Sequence, residues 1–331
     1  MYIFLNLKIH LSKNRRIFYK FADCLEFMDV SIYFWIGFHI FIFLMLALDL
    51  GVFNKHARRI PLEEAIIWSG IWITLALLFS VFVFKQFGRT KALEFLTGYV
   101  IEYSLSIDNI FVFILIFTYF AVKDQYQHRI LFWGILGALI MRGIFIFTGV
   151  ALINRFHWLI VIFGGFLVFT GIKMILQKEA EVDPEKNTLV RFFRRYFPVS
   201  NTLHDNRFFI RENGKVLATP LFLVLLIIES SDLIFAVDSI PAILAISKET
   251  FIVYTSNIFA ILGLRTLYFA VSGIMRYFRY LKAGVAFILT FVGLKMLASY
   301  FHFEVPIILS LLIIIAILSI SILASVLIKK K

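Results

Sequence analysis

The chain has 331 residues and a formal net charge of +12; 61% of its residues are hydrophobic and only 16% are charged. About a quarter of a soluble domain is charged, so this composition excludes one, and apolar runs of about 20 residues recur, each long enough to cross a bilayer as a helix. Membrane β-strands are short and alternate in polarity, which excludes a barrel.

The single cysteine, Cys24, leaves no intrachain disulfide and no cysteine-based metal cluster to expect. The seven histidines are scattered, with no HxxxH pair. The positive charge reads as loop Lys and Arg that orient a membrane chain, not as a nucleic-acid surface. The expected surroundings are the lipid bilayer, with no nucleic-acid partner.

Residues 1–27 carry Lys8, Lys13, Arg15, Arg16 and Lys20 and lack the apolar core and cleavage site of a signal peptide. They read either as a non-native extension ahead of a start at Met28 or as an interfacial basic segment. Nine spans are then expected, over 32–53, 64–84, 92–122, 127–151, 157–177, 219–246, 250–273, 278–298 and 305–328. The fold class is all-α, with a first membrane half at 28–177, a loop at 178–218 and a second half at 219–331. Loops and helix ends on one side hold 19 Lys and Arg, against 5 on the other. The positive-inside rule puts the richer side in the cytoplasm. The N-terminus is then outside and the tail Lys329–Lys331 inside.

Asp49 in "LALDLGVF" sits near the inner end of the first span, as a gate or as an interfacial anchor. In the central loop, "RFFRRYFP" (Arg191–Pro198) alternates bases with aromatics and suits the headgroup layer. "RFFIRENGKVLAT" places Asn213-Gly214 between two β-prone runs. Asn-Gly accepts the positive φ angles of a type I′ turn, so a small cytoplasmic β-hairpin is predicted.

Three correspondences recur in order along the chain. "SIDNIFV" at Ser106–Val112 matches "SSDLIFA" at Ser230–Ala236, Arg142 matches Arg265, and "LVFTGIKMI" at Leu167–Ile175 matches "LTFVGLKML" at Leu289–Leu297. Each copy has three spans, and an odd number inverts the second copy. Inverted repeats with a midplane site between them are common in secondary transporters.

The acids sit in the first spans of these copies. Each costs about 2.5–3.5 kcal/mol near a bilayer centre even on the lenient insertion scale. On an ideal helix Glu229, Asp232 and Ser239 share a face; Glu102, Ser106 and Asn109 share another, with Asp108 at its border. Asp238 points elsewhere, and a kink at Pro241 is expected to swing it inward. Carboxylates, an amide and hydroxyls are hard oxygen ligands that suit Mg²⁺, Ca²⁺ or Mn²⁺. Arg142 and Arg265 balance some of this charge. A proton pathway and purely structural ion pairing are the alternatives.

These residues resemble the TerC (tellurium-resistance) family of integral membrane proteins. The resemblance rests on "GFHIFIFLMLALDLGVF", "EYSLSIDNIFVF", "RFFIRENGKVLATP" and "IIESSDLIFAVDSIPAI" and runs from about Asp29 onward. It implies a bacterial inner-membrane protein of the LysE-like transporter superfamily, linked to Mn²⁺ export, to tellurite or alkaline-pH response and, in plastids, to thylakoid protein insertion. The function expected is export of a divalent metal ion, Mn²⁺ foremost, by a secondary transporter that is not an enzyme and holds no resident cofactor. Asp108, Asp232 and Asp238 are the principal ligands expected, with Glu102, Glu229, Asn109 and Ser239 as secondary ligands or proton carriers. The rival is a membrane scaffold or insertion factor that acts through membrane-protein partners at the 178–218 loop.

Overall fold

A computed structural model describes residues 30–51, 61–176, 197–200, 207–212, 215–274 and 280–327. The 1–27 segment, most of "RFFRRYFP", the Asn213-Gly214 pair, the side chain of Asp49 and the tail Lys329–Lys331 lie outside the described residues. The chain divides into two compact units: 1–56 with 249–251, and 57–248 with 252–331. In the first unit, α1 (Ile32–Gly51) is a continuous apolar helix.

The second unit begins with α2 (Leu62–Tyr119), followed by α3 (Asp124–Arg155) and α4 (Leu159–Leu176). Strands β1 (Phe209–Glu212) and β2 (Lys215–Ala218) come next, and then α5 (Pro220–Leu244), α6 (Thr250–Leu262), α7 (Leu264–Ile274), α8 (Leu281–Tyr300) and α9 (Ile307–Leu327). Six of these helices are long and apolar enough to cross a membrane: α2, α3, α4, α5, α8 and α9. The pair α6–α7, bent by 43° around Gly263, makes a seventh if counted as one span.

The expected spans 64–84 and 92–122 both fall on α2. Gly88 interrupts that helix with φ 87° and ψ 176°. A side chain at such a φ meets steric conflict that glycine escapes, so the chain turns there between two helical segments.

Helices α4 and α8 approach each other closely, and small residues allow it. A Cβ added at Gly293 would lie 2.7 Å from the Gly164 carbonyl oxygen and 2.8 Å from the Val168 nitrogen. Small residues let backbones approach this closely where the surroundings are as apolar as the helices themselves. The glycines that align "LVFTGIKMI" with "LTFVGLKML", Gly171 and Gly293, both sit in this contact.

The hairpin is present: β1 and β2 pair antiparallel, Phe209 opposite Ala218 and Glu212 opposite Lys215. Only Thr219 separates β2 from α5. Its nitrogen donates to the Phe208 carbonyl at 2.9 Å and its hydroxyl to the Arg207 carbonyl at 2.6 Å. Pro220 follows as the first residue of α5, where no backbone N–H is needed.

Candidate functional site

Arg142 is fully buried in α3. Its guanidinium forks onto Asp232 of α5, Nη2 donating to Oδ1 at 2.9 Å and Nε to Oδ2 at 3.2 Å. The Nη1 side of the same group pairs with Glu102 of α2, also fully buried. Asn257 of α6 donates through Nδ2 to Glu102 Oε2 at 3.0 Å. Four helices therefore meet at one guanidinium. Arginine suits this position because its planar fork serves two carboxylates at once.

Arg265 and Glu229 lie near this centre. Arg265 of α7 and Asp232 line the same internal void. Glu229, one turn before Asp232 on α5, lies within electrostatic reach of it. A Cβ on Gly137 would run into the Glu229 carboxyl, so the glycine makes room for it. Glu229 Oε2, Ser106 Oγ and Ser239 Oγ are buried and have no hydrogen-bond partner among the described residues. Asn109 is buried on α2.

Asp108 and Asp238 form a second group. Asp108 is half-buried, in electrostatic reach of Lys282 and Asp238. Asp238 accepts a hydrogen bond from Thr170 Oγ1 of α4 at 3.2 Å and feels the charge of Lys173. The sequence reading set Asp108 and Asp232 at one site; the structure joins Asp108 to Asp238 and Asp232 to Glu102, Glu229 and Arg142.

The expected kink at Pro241 is not what presents Asp238. Helix α5 is continuous through Pro241 to Leu244, and the proline occupies its last turn. Six residues on an ideal helix separate Asp232 and Asp238 by about 240°. That angle alone turns Asp238 toward α4 while Asp232 faces α3.

Among the described residues, no three His, Cys, Asp or Glu side chains gather closely enough to hold a metal ion. Arg142 engages both oxygens of Asp232 and Oε1 of Glu102, as an internal counter-ion would, and Asn257 holds the other Glu102 oxygen. Sequence reasoning missed Asn257, Thr170, Gly137 and Lys282. Asn257 had a signal: a lone amide in the apolar run "TSNIFAIL" (Thr255–Leu262), ahead of Arg265. Thr170 and Gly137 had none, because small residues are common in membrane helices for packing alone.

The profile of the integral membrane protein TerC family matches residues 87–331. The chain belongs to the TerC family. It is a multi-pass integral membrane protein, and the matched region holds Glu102, Asp108, Glu229, Asp232 and Asp238. An uncharacterized membrane protein of Myxococcus xanthus is 51% identical to this TerC chain over 291 residues, covering 88% of the chain and 91% of the relative. A protein of Escherichia coli K12 with the provisional name membrane-bound redox modulator Alx is 46% identical over 293 residues, 86% of this chain and 91% of its own. An uncharacterized membrane protein of Rickettsia bellii is 40% identical over 292 residues, 88% of this chain and 96% of its own. No solved structure matches the TerC chain.

Proposed function

We propose that this TerC chain is a secondary transporter that exports a divalent cation, Mn²⁺ foremost, across the bacterial inner membrane. The observation that carries this reading is the buried set Glu102–Arg142–Asp232, with one guanidinium against two carboxylates in an apolar chain. Charges at membrane depth are expensive and mark ion pathways by default. Two carboxylates match the charge of a divalent ion. Arg142 holds the same oxygens that a dication needs, so guanidinium and cation compete for them. When the cation binds, Arg142 withdraws; when the cation leaves, Arg142 returns and keeps the acids neutralised. Glu229 supplies a further oxygen beside this set, Ser106, Ser239 and Asn109 are further buried oxygen donors on the same two helices, α2 and α5, and Asp108 with Asp238 offers the next pair along the path. These are hard ligands suited to Mn²⁺ and its kin.

The architecture behind this reading has nine crossings: α1, the two segments of α2 either side of Gly88, α3, α4, α5, the α6–α7 pair, α8 and α9. The N-terminus is outside and the C-terminus cytoplasmic. An inverted repeat relates the second segment of α2, α3 and α4 to α5, α6–α7 and α8. Helix contacts support it, because exchanging the two copies maps α3–α5 onto α7–α2 and α4–α5 onto α8–α2, and all four pairs are in contact.

The E. coli relative's redox name fits the same activity, since a redox-active transition-metal ion alters the redox balance of the cell that retains it. With one cysteine, this sequence has no intrachain dithiol for direct thiol chemistry. Tellurite and metal-stress resistance would follow from export, without an enzymatic step. Elemental analysis of manganese-loaded cells with and without the protein tests the reading. Lower cell manganese in the presence of the protein is expected; equal content overturns it.

A further inference from the structure

At the end of the helices where α2 and α3 begin, a cavity of about 590 Å³ opens, with Pro61, Asp124, Gln127, Tyr268 and Ser272 in its walls. Its polar wall is an ordered chain of hydrogen bonds. The Tyr268 hydroxyl donates to Gln127 Oε1 at 2.9 Å. Gln127 Nε2 donates to the Val122 carbonyl at 3.1 Å and to Asp124 Oδ1 at 3.4 Å. Deeper on the same α3–α7 seam lies a second void of about 10 Å³, walled by Leu131, Leu264, Arg265 and Asp232. That is no more than the space of one water. Gln127, Leu131, Ala138 and Arg142 recur at helical spacing, so one stripe of α3 runs from the mouth to the buried guanidinium. Its rise is about 22 Å.

We infer that the mouth cavity is the cytoplasmic receiving site for a hydrated divalent cation, and that Leu131 and Leu264 close the passage from it to Glu102 and Asp232. The inference rests on the transport reading and on the orientation that puts this end in the cytoplasm. The cavity has room for roughly twenty waters at about 30 Å³ each, enough to hold an ion with its hydration shell. Its walls offer a carboxylate, an amide oxygen and two hydroxyls. Those groups attract a dication through its waters without the charge needed to strip them. Stripping belongs to the deeper acids, beyond the leucine constriction.

The test uses the full chain in inside-out vesicles with Cys24→Ser as background. Gln127→Cys and Ser272→Cys place a thiol on opposite walls of the mouth, and Gln125→Cys places one on the exposed side of α3 at the same end. Each variant is treated with a membrane-impermeant thiol reagent, and manganese uptake is compared with unlabelled vesicles of the same variant. Labelling at position 127 or 272 should remove most of the uptake, labelling at 125 should not, and Mn²⁺ in the bath should slow labelling at 127 and 272 only. If one mouth variant fails to accumulate, the other carries the test. Vesicles that transport manganese regardless of labelling at both mouth positions overturn the receiving site and leave the transport reading standing. If background vesicles take up no divalent cation at all, the transport reading falls and this inference with it.

Discussion

Asp232→Asn separates the two duties of the buried acids. In the native protein Arg142 makes a two-point contact with Asp232 and a further contact with Glu102. Asparagine keeps the size and one oxygen, so it still accepts one of the two hydrogen bonds. Glu102 remains, and the guanidinium is not stranded. The stability loss is therefore that of a weakened charge-assisted contact, about 1.5–3 kcal/mol. Removing both carboxylates, by Glu102→Gln with Asp232→Asn, leaves Arg142 buried without a counter-charge, and breaking a buried pair in that way costs about 3–5 kcal/mol. Export behaves differently, because a dication needs both charges and one substitution removes half of them. The single variant should fold, reach the membrane and fail to lower cell manganese, whereas the double variant should fail in both respects. Thermal unfolding of detergent-purified protein, paired with elemental analysis of cells, separates the two outcomes. A single variant that exports as well as wild type would refute the competition between guanidinium and cation. So would a double variant as stable as the single one.

Asp108→Asn should abolish export with less loss of stability than Asp232→Asn, because no guanidinium among the described residues forks onto Asp108; melting curves of the two variants side by side check this. Pro241→Ala should change export little, since the proline sits in the last turn of a continuous α5; a severe transport defect in a well-expressed variant would restore a role for a kink. Gly293→Ala should destabilise the protein by about 1–3 kcal/mol through overpacking, because its methyl would press on the Gly164 carbonyl and the Val168 nitrogen; unfolding temperature is the measurement. Gly88→Ala should cost about 1–3 kcal/mol, because φ 87° with ψ 176° is a conformation open essentially to glycine alone, and a variant melting with wild type would show that the turn relaxes.

A charge inside an apolar run is conspicuous. For that reason Glu102, Asp108, Arg142, Asp232 and Arg265 could be chosen from the sequence. Their pairing could not. Helical periodicity places Glu229 and Asp232 on one face of α5, yet nothing in the order of residues says that the Arg142 guanidinium forks onto Asp232. Partner choice is set by packing between helices distant in sequence, and here by glycines such as Gly137 that admit a carboxyl. The hairpin was legible because Asn-Gly is a local instruction. The turn at Gly88 was legible only in part: the polar "KQFGRTK" stretch (Lys85–Lys91) separates two spans, but it does not say which residue takes the positive φ. The kink expected at Pro241 shows the opposite error, since a proline's effect depends on how much helix follows it.

The junction between β2 and α5 has a mechanical consequence. One residue joins the ladder to the helix that carries Glu229, Asp232 and Asp238, and both its nitrogen and its hydroxyl are tied back to the chain ahead of β1. There is no slack in such a joint. The hairpin is a handle on the acid-bearing helix, and any tilt or rotation of that helix swings the strands with it. A spin label or fluorophore at Phe209 or Val216, both exposed, would therefore report movement at the buried acids from outside the bilayer. By the same rigidity, whatever grips the hairpin holds the helix still.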